Sequence, residues 1–261
     1  MELSYWKKQD QKPLYESLSW NIPEQKTGTV NIIGGNSQSF VAPIKTAEFM
    51  SSNFPISRTN VILPDSLKNK VPPLPNIITT PSTDSGSFAK DKTLEKIIEN
   101  GDFSIFAGDM SKNSITTVAI SEAIKNTTKP VILARDSIGT ILTEAANIIE
   151  RENLFIMGSM AQLQKLLRAI YYPKMLLLSM PILPAIELLH KFTISYPATI
   201  ITFHEGQIIA ASGGKIITTP IEKTKYSPIT LWDGTLACKI AAFNLYNPNQ
   251  SLEATSAAIL S

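Results

Sequence analysis

The chain has 261 residues, 43% of them apolar, and a net charge of only +2. That is enough for one large α/β domain or two small ones around a sizeable core. No basic stripe with interleaved aromatics occurs, which excludes nucleic acid as the expected partner, and the single cysteine, Cys238, rules out both an intrachain disulfide and a Cys-based zinc site.

The N-terminus, Met1 to Lys8, lacks the apolar core of a signal peptide. Together with the cysteine usage this leads to the expectation of a soluble cytoplasmic protein. Residues 1–25 are polar, with apolar anchors at Trp6, Leu14, Tyr15, Leu18 and Trp20, and are read as a helical lead-in. Residues 26–261 are read as one domain.

Within that domain short apolar segments alternate with helix-length ones. Strands are predicted at Thr29–Ile33, Asn60–Leu63, Asn76–Thr79, Phe103–Ala107, Val131–Ala134 and Leu154–Met157. Helices are predicted at Ala42–Ser51, Phe88–Asn100, Asn113–Asn126, Ser137–Glu150 and Ser159–Ile170, and the Pro- and Lys-rich Pro64–Pro75 is a loop. Strands that are apolar on both faces and separated by helices form a parallel sheet covered on both sides. Right-handed crossovers then give a layered α/β architecture.

Met175–Leu189 is the most apolar stretch. It is short for a bilayer span and is broken by Pro181 and Pro184, so it is read as a buried helix or a subunit interface. Three further strands, Ala198–Phe203, Gln207–Ala211 and Lys215–Thr219, are joined by His204-Glu205-Gly206 and Ser212-Gly213-Gly214. Such short Gly-containing links make antiparallel hairpins. A helix over Leu231–Leu245 and a last one from Ser251 close the chain.

Parallel sheets hold ligands at the carboxyl ends of their strands, beside helix N-termini. Four loops qualify. Gly34-Gly35-Asn36-Ser37 is either a ligand-approaching backbone or a tight turn. In Gly108-Asp109-Met110-Ser111-Lys112, Asp109 can touch a ligand hydroxyl or a metal and Lys112 a phosphate, or the loop is an N-capping turn made by Ser111 or Asn113. Asp136 either caps the next helix or is catalytic. In Leu231-Trp232-Asp233-Gly234-Thr235, Asp233 is either an N-cap or a general base facing a substrate hydroxyl. His190 is read as a boundary residue and His204 as solvent-facing; the two are too isolated for a metal site, and no residue set is assigned to a metal. Neither a Walker-type loop nor a Gly-x-Ser-x-Gly elbow occurs.

The order of these loops resembles the ribokinase-like superfamily, and within it the ADP/ATP-dependent NAD(P)H-hydrate dehydratases. That family opens with Lys-Gly-x-x-Gly, a strand, then Gly-Gly-Ser-x-x-Tyr-x-Gly-Ala-Pro; here Lys26-Thr27-Gly28 leads through Val30–Ile33 to Gly34–Pro43, with Val41 in place of a glycine. Its Gly-Pro-Gly-Leu-Gly is similar to Ala107–Ser111. Its Pro-Val-Val-Leu-Asp-Ala-Asp-Ala-Leu is similar to Pro130–Ile138, with Ala134 at the first Asp and Asp136 at the second. Its Gly-Thr/Ser-Gly-Asp-Val-Leu-Ala-Gly is similar to Leu231–Cys238, with Gly234 where the catalytic Asp belongs and Asp233 one residue early.

The resemblance spans roughly residues 24–261. It implies a three-layer ribokinase-like sandwich with a mostly parallel sheet and a C-terminal antiparallel hairpin region. It implies ADP or ATP with Mg²⁺, and a hydrated NAD(P)H as substrate. It also implies catalytic roles for Asp233 and Asp136, and ligand contacts at Gly34, Gly35, Asn36, Gly108, Asp109, Gly234 and Thr235. The bulky Leu231 and Trp232 at the phosphate cradle imply weak or lost activity. An inactive nucleotide-binding relative and a small-molecule kinase are the alternatives, and a homo-oligomer is expected in each.

Overall fold

The computed structural model describes residues 4–9, 13–71 and 76–261. The chain runs β1 (Trp6–Lys8), α1 (Pro13–Ser19), β2 (Thr27–Gly34), α2 (Val41–Asn53), β3 (Ile56–Pro64), β4 (Ile77–Thr80), α3 (Lys92–Glu99), β5 (Phe103–Gly108) and α4 (Ser114–Lys125). It continues through β6 (Val131–Ala134), α5 (Ala145–Ile148), β7 (Leu154–Met157), α6 (Met160–Ala169), α7 (Ile182–Ser195), β8 (Thr199–His204), β9 (Gln207–Ser212), β10 (Lys215–Pro220), α8 (Thr235–Tyr246) and α9 (Ser251–Leu260).

The strands form a single sheet in the order β1-β10-β9-β8-β7-β6-β5-β2-β3-β4. Among the described residues β9 alone runs against the rest, pairing antiparallel with β8 and β10. The expected C-terminal hairpins are present.

Alternation along each strand explains the layers. Ile33, Phe106, Leu133, Ile156 and Ile200 share a core with residues of α3, α4, α6 and α7. Their neighbours Ile32, Ile105, Ile132, Phe155 and Ile201 share the other core with residues of α2, α8 and α9. Burying each such side chain contributes roughly 1.5–3 kcal/mol against the entropy of ordering the chain.

Strand order places the site. From β2 the chain steps outward to β3 and β4, then returns to β5 on the opposite side of β2. Such a reversal opens a crevice beyond the carboxyl ends of the strands. There β2 and β5 nearly touch: their register shifts between Ile33 and Gly34, and a Cβ on Gly34 would lie 2.4 Å from the carbonyl oxygen of Gly108.

Three expectations are corrected. The lead-in is part strand, because β1 adds in parallel to the edge strand β10 and Trp6 Nε1 donates to Thr218 Oγ1 at 3.0 Å. The helix expected over Ser137–Glu150 is instead a 3-10 segment, Arg135–Ile141, followed by the short α5. Ser137 and Thr140 donate to nearby carbonyls there, of Ala134 and Ser137, offering the backbone an alternative to the α-helix. His204 is buried rather than solvent-facing, because the segment before α7 covers the end of β8 and the carbonyl of Met180 pairs with His204 Nε2. His190 is half-buried, as expected of a boundary residue, and stacks on Tyr5.

The apolar stretch before and within α7 is divided. Ile186, Leu188 and Leu189 are buried, while Met175, Leu177, Leu178 and Leu183 are exposed. Among the described residues no helix is long and apolar enough to cross a membrane.

Cys238 is fully buried on α8, where its thiol donates to the carbonyl of Thr46 on α2 at 3.2 Å. Burial pushes the thiol pKa upward, and thiolate is the reactive form. Native protein is therefore expected to resist iodoacetamide at neutral pH, with alkylation appearing only along the urea unfolding curve. Rapid stoichiometric labelling of folded protein would contradict the packing of α8 on α2.

Candidate functional site

The loops after β5, β6 and β7, together with the approach to α8, line an open cleft of about 530 Å³. Asp109 comes from the β5 end, Arg135 and Asp136 from the β6 end, Ser159 and Gln162 from the start of α6, and Ile229, Trp232 and Asp233 from the approach to α8.

Asp136 is spent on the backbone. Its Oδ1 accepts the N–H of Asp109 at 2.9 Å and its Oδ2 that of Met110 at 3.0 Å. The 3-10 segment Arg135–Ile141, in whose first turn Asp136 lies, has no side-chain cap; the carboxylate reaches across to the end of β5 instead. Gly108 is required beneath it, with φ +93° and an imagined Cβ only 2.4 Å from Asp136 Oδ1.

Asp109, at φ +58°, is spent in the same way. Aspartate tolerates this left-handed conformation. Its Oδ2 accepts the N–H of Ala42 at 2.9 Å, in the first turn of α2. A carboxylate at a helix N-terminus satisfies an orphan donor and meets the positive end of the dipole. The cap of α4 falls to Asn113, which accepts from Thr116 N at 2.8 Å.

Asp233 repeats the pattern at α8. Its Oδ1 accepts both the N–H and the hydroxyl of Thr235, at 2.9 and 2.7 Å. It is exposed, and its Oδ2 has no hydrogen-bond partner among the described residues. Gly234 follows at φ +104°, buried, and an imagined Cβ there would lie 2.4 Å from Thr46 Oγ1. No carboxylate has room at that position. Trp232 is half-buried, lining the cleft while packing on the core below. Lys239 turns away: its ammonium donates to the carbonyl of Ser261 at 2.6 Å, and burial pulls its pKa down.

The structure thus brings Asp109, Asp136 and Asp233 to one cleft. Gly34, Gly35 and Asn36 do not line it. Gly34 is explained by its approach to Gly108, and Asn36 bonds the carbonyl of Asp109 and the amides of Gln38 and Ser39. Gly108, Gly234 and Thr235 supply backbone shape and capping behind the lining. Lys112 is exposed and outside it.

Sequence reasoning missed Arg135, Ser159, Gln162 and Ile229. Ser159 and Gln162 form a capping box at α6, and the amide of Gln162 donates to the carbonyl of Arg135. A Ser three residues before a Gln at a strand end was a readable signal. Arg135 was legible as a cation beside Asp136 at a strand terminus.

No protein-family model and no curated protein matches the sequence. Solved structures do match. A ribokinase-like superfamily protein from Enterococcus faecalis is 15% identical with a TM-score of 0.67, covering 100% of this chain and 87% of that one. The ADP/ATP-dependent NAD(P)H-hydrate dehydratase from Bacillus subtilis, co-crystallised with ATP/Mg²⁺, is 13% identical with a TM-score of 0.59, covering 94% of this chain and 84% of that one. Pyridoxal kinase from Bacillus subtilis, in an ADP complex, is 13% identical with a TM-score of 0.51, covering 89% of each chain. The chain has the ribokinase-like fold.

Asp136→Ala is expected to destabilise the protein by roughly 1.5–3 kcal/mol, because two backbone amides lose a charged acceptor. Urea midpoints measure this. An unchanged midpoint would show that the clamp between β5 and β6 is dispensable.

Proposed function

We propose that this chain is a ribokinase-like ligand-binding protein, related in fold to the NAD(P)H-hydrate dehydratases, in which nucleotide-driven dehydration is weak or lost. The observation that carries this reading is the pairing of Asp233 with Thr235 at the start of α8, beside a Gly234 position closed by Thr46.

Nucleotide-assisted dehydration needs donors that receive negative charge on the phosphates, and a helix N-terminus is the usual source. Here the chain's own carboxylate, one residue before the N-cap Gly234, already accepts the first amide of α8, that of Thr235. A polyphosphate on that amide would have to displace Asp233 or meet its like charge. Mg²⁺ fits no better. Of the carboxylates in the cleft, Asp109 and Asp136 already accept backbone N–H groups and Asp233 has only Oδ2 free of hydrogen bonds, and among the described residues no group of three or more His, Cys, Asp or Glu could hold a metal ion. No step through ADP, ATP or Mg²⁺ is therefore derived.

The residues that remain suit binding. Trp232 and Ile229 offer an apolar wall, and Arg135, Ser159 and Gln162 a polar one. One observation favours a second reading, a small-molecule kinase: the unpartnered Oδ2 of Asp233 is exposed at the cleft, where a general base would meet a substrate hydroxyl. We also propose a homo-oligomer formed through Met175, Leu177, Leu178 and Leu183, exposed on one short stretch of the chain.

The direct test incubates the protein with hydrated NADH, Mg²⁺ and either ADP or ATP, following NADH by absorbance. Recovery is expected at the uncatalysed rate. Faster recovery that disappears in Asp233→Asn would overturn the reading. Consumption of ATP that requires a small alcohol, and is likewise lost in Asp233→Asn, would replace it with the kinase.

A further inference from the structure

We infer that Arg135 is the anion receptor of the cleft, and that the ligand is a planar-ring compound bearing an oxyanion, either a phosphate monoester or a carboxylate. This rests on the ligand-binding reading of the same site and adds the chemistry of the ligand.

Arg135 is held in an uncommon state. Its backbone lies at φ +57°, a conformation that costs a residue with a Cβ roughly 1–2 kcal/mol. Its carbonyl accepts from the Gln162 amide, which fixes the turn. The side chain is thereby aimed from the end of β6 into the cleft, with its Nε packed over Gly108, 3.1 Å from where a Cβ would stand.

The guanidinium is also unsatisfied. Among the described residues its ion pair is with Asp109 Oδ1, at 3.5 Å, too long for a good charge-assisted hydrogen bond. Its Nε is buried without a hydrogen-bond partner. Arginine presents five donors in a planar fork suited to two oxygens of one oxyanion. Among the described residues no other Lys, Arg or His lines the cleft.

The three carboxylates of the lining do not outbid it. Asp136 gives both oxygens to backbone amides. Asp109 keeps its bond to Ala42 N even if Arg135 leaves it, and Asp233 is capped on Thr235. An anion that binds here does so on the N–H groups of Arg135 and against the charge of the three carboxylates. Trp232 and the exposed Ile229 line the same cleft as Arg135. An indole and an aliphatic side chain at a binding site accept a flat ring by stacking and apolar contact.

The inference is tested with two pairs of probes, each differing only in the anion: AMP against adenosine, and nicotinate against nicotinamide. Binding is read from tryptophan emission, with Trp232→Phe identifying the responding residue. The anionic member of at least one pair is expected to bind tenfold or more tightly than its neutral partner. That preference should vanish in Arg135→Asn, whose side chain tolerates the left-handed backbone, and persist in part in Arg135→Lys. Melting temperature checks that both variants fold. Equal binding of charged and neutral partners, an unchanged preference in Arg135→Asn, or no binding of any probe at millimolar concentration would overturn it. Turnover of hydrated NADH by the unmodified protein would overturn the preceding reading while leaving this one standing.

Discussion

The carboxylate of Asp136, gripping the amides of Asp109 and Met110, ties the end of β6 to the end of β5. The cleft takes its shape from that grip. With its loop held, Asp109 reaches the first turn of α2. Helix α2 carries Thr46, whose side chain closes the space above Gly234 and whose carbonyl receives the thiol of Cys238. Helix α8 is seated by those contacts, and Asp233, just before its N-cap Gly234, accepts the N–H of Thr235. One chain of polar and steric contacts thus runs from the middle of the sheet to the first turn of α8.

The chemical consequence follows from where each carboxylate ends. A ribokinase-like cleft offers backbone N–H groups at loop turns and helix starts, and such groups bind anions. In this chain the β5 loop, the start of α2 and the start of α8 each receive an aspartate of the protein itself. These side chains stabilise the scaffold by satisfying donors that would otherwise be orphaned. The same bonds occupy one amide each at the starts of α2 and α8 and two in the β5 loop. Arg135 and Trp232 line the cleft beside them.

Much of the fold was legible in the sequence. Val131–Ala134 and Leu154–Met157 were read with their observed bounds, because runs apolar on both faces between helix-length segments admit few alternatives. The segment after β6 was misread, since hydroxyl groups of Ser137 and Thr140 bond nearby carbonyls and favour a tighter turn than an apolar pattern suggests. In the site, Asp109, Asp136 and Asp233 were legible as strand-end or helix-start carboxylates. Their partners were not: Asp136 bonds across 27 positions of sequence and Asp109 across 67, separations that only the sheet order resolves. Arg135 was passed over because its significance depends on what it fails to bond, a property of the assembled cleft.

Asp233 on the N–H of Thr235 keeps a phosphate from that amide. In a crystal of the protein soaked with ADP and Mg²⁺, Asp233 should remain seated on Thr235, with no phosphate density on the first turn of α8. Phosphate density there, with Asp233 turned out of the cleft, would show that the carboxylate does not hold the site.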